Sequence, residues 1–164
     1  EDQDLHKLHD FLEARRPQQG PARVVHGDYG LHNCLVNPDG ELTAVLDWEI
    51  STLGDPMADF AYALNTWAEP GDELVNKDNA PTLAEGFLGR AELIDRYAAQ
   101  TGCDLTNLPY YISFNHFKSA CIIHGVYARY MQGQKSTDGV DLDYYRSRIG
   151  ICIELSKQAA DELE

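Results

Sequence analysis

Five stretches of this chain carry apolar residues at helical spacing. Leu5, Leu8, Phe11 and Leu12 predict an amphipathic helix over residues 4–14, ended by Pro17 and Gly20-Pro21. Met57, Phe60, Ala61 and Leu64 follow at i, i+3, i+4 and i+7, and Asp55-Pro56 before them reads as an N-cap with proline at the first helical position. Residues 89–102 predict a third helix, with Gly102 after its end. Residues 108–131 are the most apolar stretch, and their apolar residues cover most of the helix circumference. That predicts a helix running through the core. A last amphipathic helix is expected over 141–163. Between the first two helices lie three short apolar runs: Arg23-Val24-Val25, Cys34-Leu35-Val36 and Leu42–Leu46. The last two flank the turn tetrapeptide Asn37-Pro38-Asp39-Gly40 and predict a hairpin. Residues 69–81 are polar and read as a loop. The expected fold class is α+β, mainly helical, with small hairpins carrying polar loops.

Composition narrows this only slightly. The chain has 164 residues, which suits one domain. The formal net charge is −14, with acids in both halves, so a phosphate backbone or an anionic membrane is a poor partner. No apolar run approaches the 18 or so residues of a transmembrane helix. Cys34, Cys103, Cys121 and Cys152 form no CxxC pair, so a zinc ribbon or disulfide framework is disfavoured and the cytoplasm is the expected location. No GxGxxG follows a strand, which removes a dinucleotide-binding reading.

The chemistry concentrates in VVHGDYGLHNCLV (24–36) and AVLDWE (44–49). Asp28 follows His26 by two residues, Asn33 follows Asp28 by five, and Asp47 comes one hairpin later. An aspartate beside a substrate hydroxyl can orient it and accept its proton. An asparagine oxygen and a second carboxylate are hard ligands suited to Mg²⁺, which keeps waters and takes phosphate oxygens in its other positions.

The spacing H-x-D-x(4)-N with a later aspartate resembles the phosphotransfer template of the kinase fold. Two details separate it from protein kinases. Gly27 stands where those enzymes carry arginine, and only residues 48–54 separate Asp47 from the Asp55-Pro56 helix start, too few for a regulatory activation segment. The motifs HGD-x(4)-N, Leu46-Asp47-Trp48 and GDPMADFA (54–61) are similar to those of the aminoglycoside phosphotransferase and choline kinase-like family. The resemblance is strong over residues 24–64. HGVYARYMQGQ (124–134) resembles the branch related to the kinase-like domain of acyl-CoA dehydrogenase fusions, whose members are associated with phosphorylating hydroxyacyl-CoA.

The resemblance implies an ATP- and Mg²⁺-dependent phosphotransferase acting on the hydroxyl of a small molecule. It implies Asp28 as catalytic base or hydroxyl orienter, Asn33 and Asp47 as Mg²⁺ ligands, and His26 and Asp59 as organisers of the loop. Trp48 reads as packing, and Glu49 either as support behind the metal ligands or as a solvent-facing acid. Lys118 and Arg129, eleven residues apart on one helix face, are candidates for contact with an anionic substrate group. The acidity suits a cationic acceptor and the branch resemblance an anionic acyl-CoA, so the acceptor stays open.

One departure stands out. The kinase fold has an N-terminal lobe with a phosphate-covering loop and a Lys–Glu pair. The 25 residues before His26 hold one helix and a Pro/Gly-rich link, with Lys7 as their lysine. Residues 1–164 are therefore expected to form the C-terminal lobe of a longer enzyme, inactive by itself and a weak binder of ATP. The rival readings are a catalytically silent kinase-like binding module and a Mg²⁺-dependent phosphohydrolase.

Overall fold

The computed structural model describes residues 3–72 and 80–163. The order of elements is α1 (Gln3–Ala14), β1 (Arg23–Val25), β2 (Cys34–Val36), β3 (Leu42–Val45), β4 (Thr52–Gly54), α2 (Pro56–Asn65), α3 (Arg90–Thr101), α4 (Leu108–Met131) and α5 (Leu142–Asp161). Helices dominate and the strands are small and antiparallel, which is the α+β, mainly helical class read from the sequence. Most of the 69–81 loop, residues 73–79, lies outside the described residues.

Local chemistry sets the element ends. The Asp55 carboxylate accepts from Met57 N at 2.9 Å, capping α2 ahead of Pro56, and Asp141 caps α5 by accepting from Tyr144 N at 3.0 Å. The β2–β3 turn closes on Asn37, whose Oδ1 accepts from the amides of Asp39 and Glu41 at 3.1 and 2.8 Å. β2 pairs with β3 as that turn predicts, while β1 pairs with β4, which had no signal in the sequence.

Two apolar clusters make the core. Met57, Ala61 and Leu64 of α2 pack on Leu108, with Tyr111 and Ile112 of α4 around them. Leu8 of α1 packs on Ala120 of α4 and on Ile149, Cys152 and Ile153 of α5. Buried polar side chains tie the same helices together. Ser113 Oγ donates to Ser156 O at 2.8 Å and Ser156 Oγ to Ser113 O at 2.9 Å, joining α4 to α5. Asn115 Nδ2 donates to Ala58 O at 2.8 Å and Asn65 Nδ2 to Ile112 O at 3.0 Å, joining α4 to α2. A buried polar group left unpaired costs roughly 1–3 kcal/mol, so these bonds fix the register of three helices.

α4 corrects one expectation. Its first half runs through the core, but Ile122 and Met131 are each 60% exposed. The apolar circumference predicted burial along the whole length. α2 covers only the N-terminal part of α4, and beyond Ala120 the helix is flanked chiefly by α5.

Candidate active site

The segment between β1 and β2 is held from below by one carboxylate. Asp59, in the first turn of α2, accepts from His26 N with Oδ2 and from Gly27 N with Oδ1, the latter at 2.8 Å. Gly27 has φ +87°, a left-handed conformation that favours glycine, and a Cβ there would stand 3.2 Å from atoms of Ile50. His26 is buried, and its Nε2 lies 2.6 Å from Leu46 O. A carbonyl only accepts, so Nε2 carries the proton and Nδ1 is left to accept from Asp28 N at 3.3 Å. Leu46 N in turn donates to Asn33 O at 2.8 Å. Leu46 is thus bonded to both sides of the loop, and the next residue is Asp47.

Asp28 and Asn33 are brought together. Asn33 is buried, and its Nδ2 donates to Asp28 O at 2.9 Å and approaches Asp28 Oδ2 at 3.3 Å. Burial pushes the Asp28 carboxyl up, but hydrogen bonds with Tyr62, His32 and Asn33 outweigh it and hold the group below its ordinary value. It is therefore charged at neutral pH. Tyr62 feels the converse: burial and the Asp28 carboxylate push its phenol well above the usual range. Tyr62 was missed in the sequence. Its signal was position, since it follows Asp59 by three residues on α2 and so shares a face with it.

Asp47 is exposed and has φ 65° and ψ 48°, the one positive-φ residue other than glycine among the described residues. A left-handed conformation costs an L-residue roughly 1 kcal/mol, and aspartate is among the residue types that visit it. Trp48 is half-exposed, its Nε1 donates to Val45 O at 2.8 Å, and its ring centroid lies 4.7 Å from that of His26. Packing against the loop histidine is its observed contact. Glu49 is exposed.

Lys118 and Arg129 are not brought together. Lys118 Nζ donates to Gly27 O at 2.9 Å and sits 4.6 Å from the centre of the Tyr62 ring. Burial pushes its amine down, partly opposed by Asp28 and Asp59. Arg129 is exposed and donates to Gly125 O in its own helix at 3.3 Å. Eleven residues of helix separate them by about 16 Å along the axis, so a shared face does not make a shared anion site.

The donor set suits Mg²⁺. Nδ2 of Asn33 is spent on Asp28, which leaves the opposite edge of the amide, its oxygen, for a cation. The Asp47 carboxylate is open. Among the described residues no cluster of three His, Cys, Asp or Glu could hold a metal ion. One carboxylate and one amide oxygen fit a cation that shares its coordination with water and phosphate, not a closed protein cage.

The loop also borders a cleft of about 900 Å³, walled by Tyr29, His32, Trp48, Phe60, Trp67 and Tyr97 among others. Asp28, Asn33 and Asp47 are not among its lining residues. No helix among the described residues is long and apolar enough to cross a membrane.

The chain is similar to several known proteins. The chain is 35% identical over 144 residues to mouse acyl-CoA dehydrogenase family member 10, a match covering 81% of this chain and 13% of that protein. It is 30% identical over 143 residues to the probable acyl-CoA dehydrogenase IBR3 of Arabidopsis thaliana, covering 80% of this chain and 17% of the relative. The chain thus spans under a fifth of the length of these two relatives. A crystal structure from Ralstonia eutropha JMP134, provisionally described as an aminoglycoside phosphotransferase, superposes with a TM-score of 0.71 at 30% identity, covering 94% of this chain and 49% of that one. A model of the phosphotransferase enzyme family, APH, matches residues 1–100, and the chain belongs to that family.

Proposed function

We propose that this chain is the catalytic, C-terminal lobe of a small-molecule kinase that moves the γ-phosphoryl group of ATP to a hydroxyl. The observation that carries the reading is the pairing of a charged Asp28 with Asn33 in a loop whose backbone is fixed at both ends, by Asp59 and by Leu46. Asp28 orients the acceptor hydroxyl and takes its proton. Asn33 and Asp47 hold Mg²⁺, which when bound neutralises charge on the β- and γ-phosphates. His26 and Asp59 position the loop and touch no substrate. Such a site works by placement and by charge stabilisation, each contributing several kcal/mol to the barrier.

The other wall of the nucleotide site belongs, on this reading, to polypeptide beyond these 164 residues. Exposed apolar side chains in the segment from β1 to β4 support it: Val24 and Leu53, opposite each other in the β1–β4 pair, are 68% and 71% exposed, and Leu35, Val36, Leu42 and Ile50 are also open. Apolar groups so concentrated on one part of a molecule mark a surface that other protein covers. The acceptor is a small hydroxylated molecule, with the aminosugar and the hydroxyacyl thioester as the two classes to separate.

The test is ADP formation by the protein as encoded, with Mg-ATP and a panel of hydroxylated acceptors. Turnover that depends on an acceptor, with Asp28→Ala and Asp47→Ala each at least ~10³-fold slower, supports the reading. Phosphate release without acceptor points to the hydrolase instead. Wild-type rates in either variant refute the roles assigned here.

A further inference from the structure

His32 touches the Asp28 carboxylate but has no role in the function proposed so far. It lies in the short helical turn Leu31–Asn33, one residue before Asn33. Its Nε2 stands 3.4 Å from Asp28 Oδ2, the oxygen that Asn33 also approaches. The Cε1–Nδ1 part of its ring lies against Gly30: a Cβ on that glycine would stand 2.7 Å from His32 Cε1 and 2.8 Å from Nδ1, closer than real Cβ contacts come. Gly30 itself is extended, with φ −163° and ψ 172°, a conformation any residue adopts. Backbone geometry therefore does not ask for glycine there; a side chain at position 30 would instead push the imidazole out of this position. The ring also lines the 900 Å³ cleft, to which Asp28 does not contribute. His32 thus touches both the cleft and the carboxylate.

We infer that His32, seated in the space left by Gly30, is a positioning residue that holds the Asp28 carboxylate in its working orientation toward the acceptor hydroxyl. The inference rests on the kinase reading above. Asn33 Nδ2 and His32 Nε2 converge on the same Asp28 oxygen, at 3.3 and 3.4 Å, so losing the imidazole leaves that oxygen with one partner fewer to hold its direction. A rotated carboxylate would still carry its charge but would meet the hydroxyl in the wrong geometry, and misplacement of about 1 Å can cost up to roughly 100-fold in rate.

The experiment compares His32→Ala, His32→Gln, Gly30→Ala and the Gly30→Ala/His32→Ala double variant in the protein as encoded. The expected result is a kcat lowered roughly 10- to 100-fold by His32→Ala with the KM for ATP within about twofold, since the nucleotide contacts are untouched. His32→Gln, which keeps a side-chain N–H, recovers most of the loss. Gly30→Ala reproduces the His32→Ala defect, and the double variant is no worse than either single one, because both remove the same contact. Losses that multiply in the double variant, or a His32→Ala enzyme with normal kcat, overturn the inference. Ring resonances of His32 in nuclear magnetic resonance spectra keep this separate from the kinase reading. If no acceptor supports turnover, the kinase reading falls, and the contact is judged by whether Asp28→Asn shifts those resonances. A shift sustains it and unchanged resonances overturn it.

Discussion

The α4–α5 pair and the segment from β1 to β4 spend polar and apolar side chains in opposite ways. Between the helices, Ile149, Cys152 and Ile153 are buried, and the buried polar groups Ser113 and Ser156 bond to each other across the interface. In the segment from β1 to β4 the buried side chains include His26 and Asn33, while Val24, Leu35, Val36 and Leu53 face outward. The first region is held by packing and the second by hydrogen bonds from α2 and α4 to its backbone. Apolar contacts tolerate small shifts, but a bond from Asp59 to two successive amides does not, and it fixes the loop to a few tenths of an ångström. On the kinase reading, the positional accuracy that phosphoryl transfer needs would be supplied by the helices to a segment with little core of its own.

The comparison can be broken at several points. The largest effect on stability should come from packing between helices, here of α2 on α4: Met57→Ala is expected to cost about 2–5 kcal/mol in denaturant unfolding, because Met57 is buried among Ala61, Leu64 and Leu108. Asp59→Ala should cost somewhat less, about 2–3 kcal/mol, by leaving two amides without their acceptor. It should also slow turnover more than Met57→Ala does, and equal rates in the two variants would deny the division of labour.

A pH effect of intermediate size should come from His116 in α4. Burial, with Arg148 and Arg90 nearby, pushes its pKa down to about 4 from the ordinary 6.5. Between those values the unfolded chain binds the proton more readily than the folded one, so stability falls as pH drops from about 7 toward 4. His116→Gln should flatten that part of the curve, measured by thermal melts across pH, by at most a few kcal/mol. Last and smallest, Leu53→Ser should change the stability of these 164 residues by no more than about 0.5 kcal/mol. In a longer protein whose remaining polypeptide covers β4, the same change should cost more than about 1 kcal/mol. Equal small costs in both would remove the covered surface.

Strong local signals made much of this legible in advance. Asp55-Pro56, Asn37–Gly40 and Gly102 mark element ends through their own side chains or backbone freedom, and α2, the β2–β3 hairpin and α3 begin or end there. The β1–β4 pair was not legible, since two three-residue runs show no alternation and their pairing is made by the path between them. In the loop, the spacing of His26, Asp28 and Asn33 was readable because those residues are close in sequence. The contributions of Tyr62 and Lys118 were not, since both come from helices and reach back across 34 and 91 residues. Spacing on α4 placed Lys118 beside Arg129 on one face, and only the packing of α4 on α2 turns Lys118 toward the loop.

The bond from Lys118 to Gly27 O means that α4 cannot be exchanged freely between relatives. A chimera carrying a foreign α4–α5 pair with both apolar clusters matched would still lose the strap on the carbonyl just before Asp28, unless a cation of similar reach came with it at position 118.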